Sequence, residues 1–257
     1  MTNRFYAVTV ICNRDIYDSA SYNSLKKSDG VRIIVCDNST EKNDNGKCAD
    51  SRVSYIPMGK NAGLAAAYNR ALDSLNTDDG YICLFDDDTE IPDNYFTEID
   101  RLAVETDADV ILPVVKDETG IMSPCRINGV LTSRISSPDE INGRNISGIN
   151  SGMAVKAAVF KNYRYDTEYF LDFIDHAFIR DMKNAGKKIC VCDSVCLRQS
   201  FSANDRNIER AKRRYEIFRK DYLRFCSQSG SKADVIKGKL YLLKRSFNIN
   251  VLYRLKK

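Results

Sequence analysis

The chain is 257 residues long, 43% hydrophobic and 29% charged, with a formal net charge of +4. That suits a folded soluble protein of one large domain with an appendage, long enough to bury a sizeable core. No apolar run reaches membrane-spanning length and the nine cysteines include no Cys-x-x-Cys pair, which excludes a transmembrane protein and a dithiol or metal-knuckle site; the odd cysteine count and the lack of a signal peptide fit a reducing cytosol.

Arg4 to Asn13 reads as a strand and Ile16 to Lys27 as a helix. Val31 to Val35 is a second, continuously apolar strand that runs into Cys36-Asp37-Asn38-Ser39-Thr40. The polar, Gly- and Asn-rich residues through Ser51 form a surface loop. Val53 to Met58 is a third strand, and Asn61-Ala62-Gly63 opens an Ala-rich helix over Leu64 to Leu75. Tyr81 to Phe85 is a fourth strand, preceded by Gly80 and running straight into Asp86, Asp87 and Asp88. Asp93 is placed to cap a helix from about Tyr95 to Val104, and Asp109 to Val115 is a fifth strand. Residues 116–147 mix turn residues with short apolar pieces and carry no assignable pattern.

Ile149 to Val155 reads as a strand with a close approach at Gly152. Phe170 to His176 enters a helix that stops before Gly186, a residue suited to the position after a helix end. Lys188 to Leu197 is a further strand. Asn204 or Asp205 can cap a charged helix to about Phe225, whose apolar residues recur at spacings of three and four. Ser227 to Ser231 breaks it, and Val235 to Leu255 mixes apolar residues with Lys and Arg. The residues from Asp205 onward hold 16 Lys or Arg against 5 Asp or Glu, a surplus of 11, so the first 204 residues carry −7. An acidic body with a basic tail points to an anionic partner for the tail, a membrane surface or nucleic acid on charge alone; a helix packed on the body is the alternative.

The β-α-β-α repetition with buried apolar strands predicts an α/β fold: a mostly parallel central sheet flanked by helices. Ligands bind such sheets outside the carboxyl ends of the strands. Asn13, Asp37, Asn38, Asn61, Asp86 and Asp88 all fall at those ends. No Gly-rich dinucleotide fingerprint and no P-loop is present, which disfavours a nicotinamide enzyme or an ATPase of those types. If the fourth strand persists, Asp86 and Asp88 share one face and Asp87 takes the other. The triplet is either a solvated acidic turn or a divalent-cation site shared with an anionic ligand such as a diphosphate. An EF-hand does not fit, because its Gly position holds Ile91 and its final Glu position holds Thr97.

Four motifs in order resemble family 2 glycosyltransferases of the GT-A fold: Thr9 on the first strand followed by Val-Cys-Asp37-Asn38-Ser39, Asn61-Ala62-Gly63 with its helix, Phe85-Asp86-Asp87-Asp88-Thr89, and the pair Ile149-Asn150-Ser151-Gly152 and Phe170-Leu171-Asp172-Phe173-Ile174-Asp175. The last pair resembles bacterial rhamnosyltransferase-like members. The resemblance implies a nucleotide-sugar-binding and catalytic unit over residues 1–203 and a basic helical extension over 204–257. It implies that Asp37 hydrogen-bonds the nucleobase and that Thr9, Asn61 and Gly63 line the base and ribose pocket, with Asn38 and Asp87 beside them. Asp86 and Asp88 would hold Mg²⁺ or Mn²⁺, with Asp88 the main ligand. Asp175 would be the general base, with Asp172 the runner-up, and Ser151 and Gly152 would shape the sugar pocket. His176, the only histidine, is more often structural in such a place. Many relatives carry a metal-binding histidine near Gln199.

The activity so implied is inverting transfer of a sugar from a UDP- or dTDP-sugar, dTDP-rhamnose among them, to a polysaccharide or lipid-linked glycan. The place of work would be the cytoplasm, at the inner face of the cell membrane. A nucleotidyltransferase would need a basic Gly-rich loop that Val10 to Asp15 does not supply. A nucleic-acid-binding protein would have to confine its contacts to the tail, since the body would repel a phosphate backbone, and no nucleic acid is expected.

Overall fold

The computed structural model describes residues 4–47, 50–199 and 208–254, without the side chains of 208 and 248–254. The elements in chain order are β1 (Phe5–Ile11), α1 (Ala20–Leu25), β2 (Val31–Asp37), β3 (Val53–Pro57), α2 (Leu64–Ser74), β4 (Tyr81–Asp86), β5 (Thr89–Glu90) and α3 (Tyr95–Thr106). They continue with β6 (Val110–Asp117), β7 (Gly120–Ser123), β8 (Cys125–Asn128), β9 (Leu131–Ser133), β10 (Ile146–Ser147), β11 (Met153–Lys156), α4 (Ile174–Asn184), β12 (Ile189–Gln199), α5 (Ile208–Ser227) and α6 (Lys232–Arg254).

The main sheet runs β3-β2-β1-β4-β11-β6-β12-β5, with β7 added on β6. The first four strands pair in parallel, as does β12 with β6. β11 enters antiparallel between β4 and β6, so the sheet is mixed at its centre. The apolar strands are continuous because both faces are covered. On one face Phe5, Ala7, Ile33, Cys83 and Phe85 meet α1 and α3; on the other Tyr6, Val8, Ile34, Ile82 and Leu84 meet α2, α4 and α5. Alternation along each strand assigns these residues to their faces.

Three expectations need correction. The helix expected over Ile16 to Lys27 is a 3-10 turn over Ile16–Asp18 and then α1, because Asp15 and Ser19 each cap a new start: their side chains accept from Tyr17 N and Tyr22 N. Asp93 caps nothing: α3 starts after Asn94 with no side-chain cap bond. Residues 116–147, which carried no assignable pattern, hold four short strands and a 3-10 turn at Pro138–Glu140: β7 folds back on β6, and β10-β8-β9 form a separate three-stranded sheet. Gly186, at φ 68°, follows the end of α4 as expected. The caps proposed at Asn204 and Asp205 lie outside the described residues.

The C-terminal helices pack on the body. Phe218, Tyr222, Phe225, Cys226 and Leu242 are buried in the same core cluster as Val8 and Leu84. α6 returns along α5, with Tyr241 against Tyr222 and Arg245 over Phe218.

Candidate active site

The register of β1 aligns the strand ends: Val10 sits opposite Asp86 and Ile11 opposite Asp37. Above these ends opens a cleft of about 830 Å³ that Asn38, Asn61, Asp86, Asp88, Asp175 and Gln199 all line. β4 stops at Asp86, so the Asp triplet is a strand end plus a tight turn. Asp87 also borders the cleft, but its carboxylate turns from the other two to pair with Arg14 at 3.2 Å, and its carbonyl accepts from Ala20 N at 2.9 Å and Ser19 Oγ at 3.0 Å. Asp86 and Asp88 converge instead. β5 pairs Thr89 with Gln199 of β12, and this delivers the Gln199 amide between the two carboxylates. Nε2 donates to Asp86 Oδ2 at 2.9 Å and to Asp88 Oδ1 at 3.0 Å. Gln199 Oε1 is buried without a partner.

The electrostatics follow from this crowding. Burial, then the neighbouring Asp88 and Asp175, push Asp86 up to about 7 against hydrogen bonds from Gln199 and Ser151. Burial raises Asp88 against the Gln199 bond, and raises Asp87 against the charge of Arg14. Carboxylates held this way favour a proton or a cation. Among the described residues no group of three or more His, Cys, Asp or Glu could hold a metal ion. The two converging carboxylates alone are too few to cage a cation, and would fit one only together with oxygens from a diphosphate and water. The unpartnered Gln199 oxygen agrees: the same amide turned over would face a cation in place of the bare carboxylates.

On the β1–β2 side, Asn38 and Asn61 form a lock. Asn38 Nδ2 donates to Asn61 Oδ1 at 3.1 Å, and Asn38 Oδ1 accepts from Ala62 N at 2.8 Å. Gly63, at φ 87°, leads into α2, and a Cβ there would lie 2.9 Å from Phe170 O and 3.0 Å from the Phe170 ring, so the start of α2 and the 170 segment approach closely only because residue 63 has no side chain. Asp37 and Thr9 do not line the cleft. Asp37 is 3% exposed, and its oxygens accept from Asn43 Nδ2, Asn45 Nδ2, Tyr55 OH and Ser39 N. Burial opposes its charge, but the bonds from Ser39, Asn45 and Tyr55 prevail and lower its pKa. Thr9 is fully buried and hydrogen-bonds Ser21 at 2.9 Å; strand alternation puts its neighbour Val10 in the cleft instead.

The opposite wall is built from the C-terminal half. Asp221, fully buried on α5, accepts from Phe170 N at 3.0 Å and from Leu171 N and Asp172 N at 2.8 Å each. Arg214, two turns earlier, grips both oxygens of Asp172. Phe173 then takes φ 62° with its ring among Phe218, Tyr222 and Phe225, and α4 begins. Asp175, in the first turn of α4, accepts from His176 N at 2.7 Å through Oδ1. Burial raises its pKa although His176 opposes it. His176 itself shares a hydrogen bond with Ser147 at 2.7 Å and borders the cleft. Met122, Thr132 and Arg134, from the stretch with no assignable pattern, close the remaining side.

Ser151 and Gly152 are also off the cleft. Ser151 is fully buried against Thr89 Oγ1 at 2.5 Å, and position 152, at φ 77°, suits glycine because an added Cβ would sit 2.7 Å from Leu197 and 2.9 Å from Pro113. Asn150 faces it instead: it is 3% exposed, and neither amide atom has a partner. Sequence reasoning missed Asn150, Arg214 and Asp221. The last two carried a signal, since they fall four before and three after Phe218 on the apolar stripe of a charged helix.

Among protein-family models, the one described as Glycosyl transferase family 2 matches residues 8–158. Curated protein sequences give no match. Among solved structures, S. aureus TarS aligns with a TM-score of 0.55 at 16% identity, over 84% of this chain and 38% of that one. S. aureus TarS 1–349 in complex with UDP gives 0.54 at 18% identity, over 95% and 72%. GalNAc-T7 with UDP, GalNAc and Mn²⁺ gives 0.62 at 12% identity, over 93% and 54%. This chain thus spans less than two thirds of the full TarS chain and of GalNAc-T7, and the likeness at these identities is one of fold.

Proposed function

This chain belongs to glycosyl transferase family 2 and is a glycosyltransferase of the GT-A fold, and from that premise we propose that it inverts a sugar from a UDP- or dTDP-sugar onto a hydroxyl of a polysaccharide or lipid-linked glycan. The observation that carries this reading is the meeting of Asp86, Asp88 and Gln199 with Asp175 in one cleft. That UDP was found in the TarS 1–349 complex, and UDP with Mn²⁺ in GalNAc-T7, supports the same donor class here. dTDP-rhamnose is the first donor to try.

Asp88 and Asp86 would hold Mg²⁺ or Mn²⁺ together with the donor diphosphate. The cation would neutralise charge on the departing nucleotide. Asn38, Asn61 and Gly63 would border the nucleoside. Asp37 would act from behind them, by fixing the Asn43–Asn45 loop and Tyr55, and Thr9 by fixing α1. Asn150 offers a donor and an acceptor to sugar hydroxyls, positioned by Ser151 and Gly152.

Asp175 would take the acceptor proton on Oδ2, because Oδ1 already accepts from His176 N. The acceptor oxygen bonds to the anomeric carbon as the bond from that carbon to the phosphate oxygen breaks, and the nucleotide leaves as an anion. Asp172 is the weaker candidate, since Arg214 occupies both its oxygens. Residues 1–203 carry this machinery, and the extension over 204–257 completes its acceptor wall and turns a basic surface to the inner face of the membrane.

Thermal-shift and turnover assays over UDP- and dTDP-sugars, with and without Mn²⁺, test the reading. The true donor should raise the melting temperature by mass action. Asp88→Ala should lose metal-dependent donor binding, whereas Asp175→Asn should bind donor and lose turnover by about a thousandfold. Normal diphosphate affinity in the first variant removes Asp88 from the site, and normal turnover in the second removes Asp175 as the base.

A further inference from the structure

We infer that the outward face of α6 inserts into an anionic lipid bilayer. α6 has two apolar faces. The inner one packs on α5: Leu242 is buried, Tyr241 meets Tyr222 with ring centroids 5.3 Å apart, and the Arg245 guanidinium lies 3.8 Å over the Phe218 ring. On the outer face Ile236, Leu240, Leu243 and Phe247 are 59%, 61%, 68% and 68% exposed. Their spacing of four, three and four residues places them in one stripe along about three helical turns. Single exposed apolar residues are ordinary on a surface; an aligned row of four marks a contact.

The flanking residues identify the partner. The same spacing would serve a coiled-coil seam with a second copy, with Leu240 and Phe247 at a and Ile236 and Leu243 at d. The e and g positions then fall on Lys237, Lys239, Lys244 and Ser246. A symmetric pairing would set lysines along the seam with no acid opposite them, which opposes association. The acid closest in sequence, Asp234, pairs within α6 with Lys237 at 3.6 Å. Lysines on both shoulders of an apolar stripe match an anionic bilayer, because their stems extend the apolar band and their ammonium groups reach headgroup phosphates. No helix among the described residues is long and apolar enough to cross a membrane, so α6 would lie in the interface plane.

This deepens the membrane-side reading proposed above and rests on it for its purpose. Tyr241 and Arg245, on the inner face of the same helix, border the cleft beside Arg214 and Asp172. A seated α6 would hold that end of the cleft at a fixed height over lipid-linked acceptors.

The chain contains no tryptophan, so Leu243→Trp gives a single emission reporter in the full chain. Its emission should shift to the blue on phosphatidylcholine vesicles containing about one third phosphatidylglycerol, and not on phosphatidylcholine alone. In vesicle sedimentation, Leu240→Glu with Leu243→Glu should weaken binding roughly tenfold or more at any salt. Replacing Lys237, Lys239 and Lys244 with Gln should weaken it roughly fivefold per lysine at low salt. A tryptophan that stays in water, binding untouched by the glutamates, or a concentration-dependent dimer in ultracentrifugation that the glutamates dissolve would each overturn the inference. Nucleotide-sugar turnover measured without vesicles separates the two readings. Turnover with no insertion sinks this inference alone, and insertion with no turnover on any donor sinks the proposed function alone.

Discussion

Asn150 shows how a single side chain can reveal what a cleft is for. A buried amide with no partner costs about 1–3 kcal/mol. Asn150 is nearly fully buried at the wall of the cleft, and neither of its polar side-chain atoms has a protein partner. Asn150→Ala should therefore leave the melting temperature of the protein without donor unchanged or higher. It should raise the donor KM roughly tenfold to a hundredfold and lessen discrimination between sugars that differ at one hydroxyl. A large fall in melting temperature with an unchanged KM would make Asn150 a core residue. Gln199 belongs to the same class: its Oε1 is unpartnered while its Nε2 donates to both Asp86 and Asp88.

At the scale of elements, α5 is part of the site. Its apolar stripe enters the core through Phe218, Tyr222 and Phe225, and the two charged residues that share the stripe, Arg214 and Asp221, reach the 170–173 segment. Asp221 satisfies three backbone N–H groups that no helix or strand serves. Asp221→Ala should cost about 3 kcal/mol in urea unfolding, and hydrogen exchange at residues 170–172 should quicken. Asp221→Asn, which keeps an oxygen acceptor, should cost about 1 kcal/mol. Unchanged exchange at these amides in both variants would show that the segment is held by other contacts. β5 plays a similar part with only two residues: by pairing with the end of β12 it carries Gln199 to the Asp pair.

For the whole molecule, the acidic end of the sheet links stability to pH. Asp86 sits at about 7 in the fold against an ordinary 3.8, and Asp87, Asp88 and Asp175 are raised as well. The folded state therefore binds more protons than the unfolded chain between those values, and stability falls as pH rises through that window. Asp37 works in the opposite sense, but its contribution is lost only as pH falls below the ordinary carboxylate range. In a chelator the melting temperature should be higher near pH 5.5 than near pH 8, and Asp86→Asn should flatten the difference. Mn²⁺ with UDP should restore stability at the higher pH by binding the native state. A melting temperature independent of pH across this window would show that the carboxylates are not forced together.

Local pattern alone determined the continuously apolar strands and the polar residues at their ends, but not the short strands β5 and β7–β10. Continuous apolar runs such as Val31 to Val35 and Tyr81 to Phe85 can be satisfied only by burial on both faces, and polar residues at their ends have nowhere to go but the sheet's edge. Single residues at those ends were less legible. Thr9 and Val10 differ by one step along β1, yet that step moves a side chain from the cleft to the α1 side. Asp37 and Ser151 look like ligands in the chain but are buried, held by hydrogen bonds to partners of their own. Only the tertiary structure could decide that Gln199 meets Asp86 and Asp88, or that Asp221 holds the 170 segment, because these contacts join residues 49 to 113 positions apart. Such pairings depend on the register of β12 against β5 and on the seating of α5, and no periodicity within a short window records either.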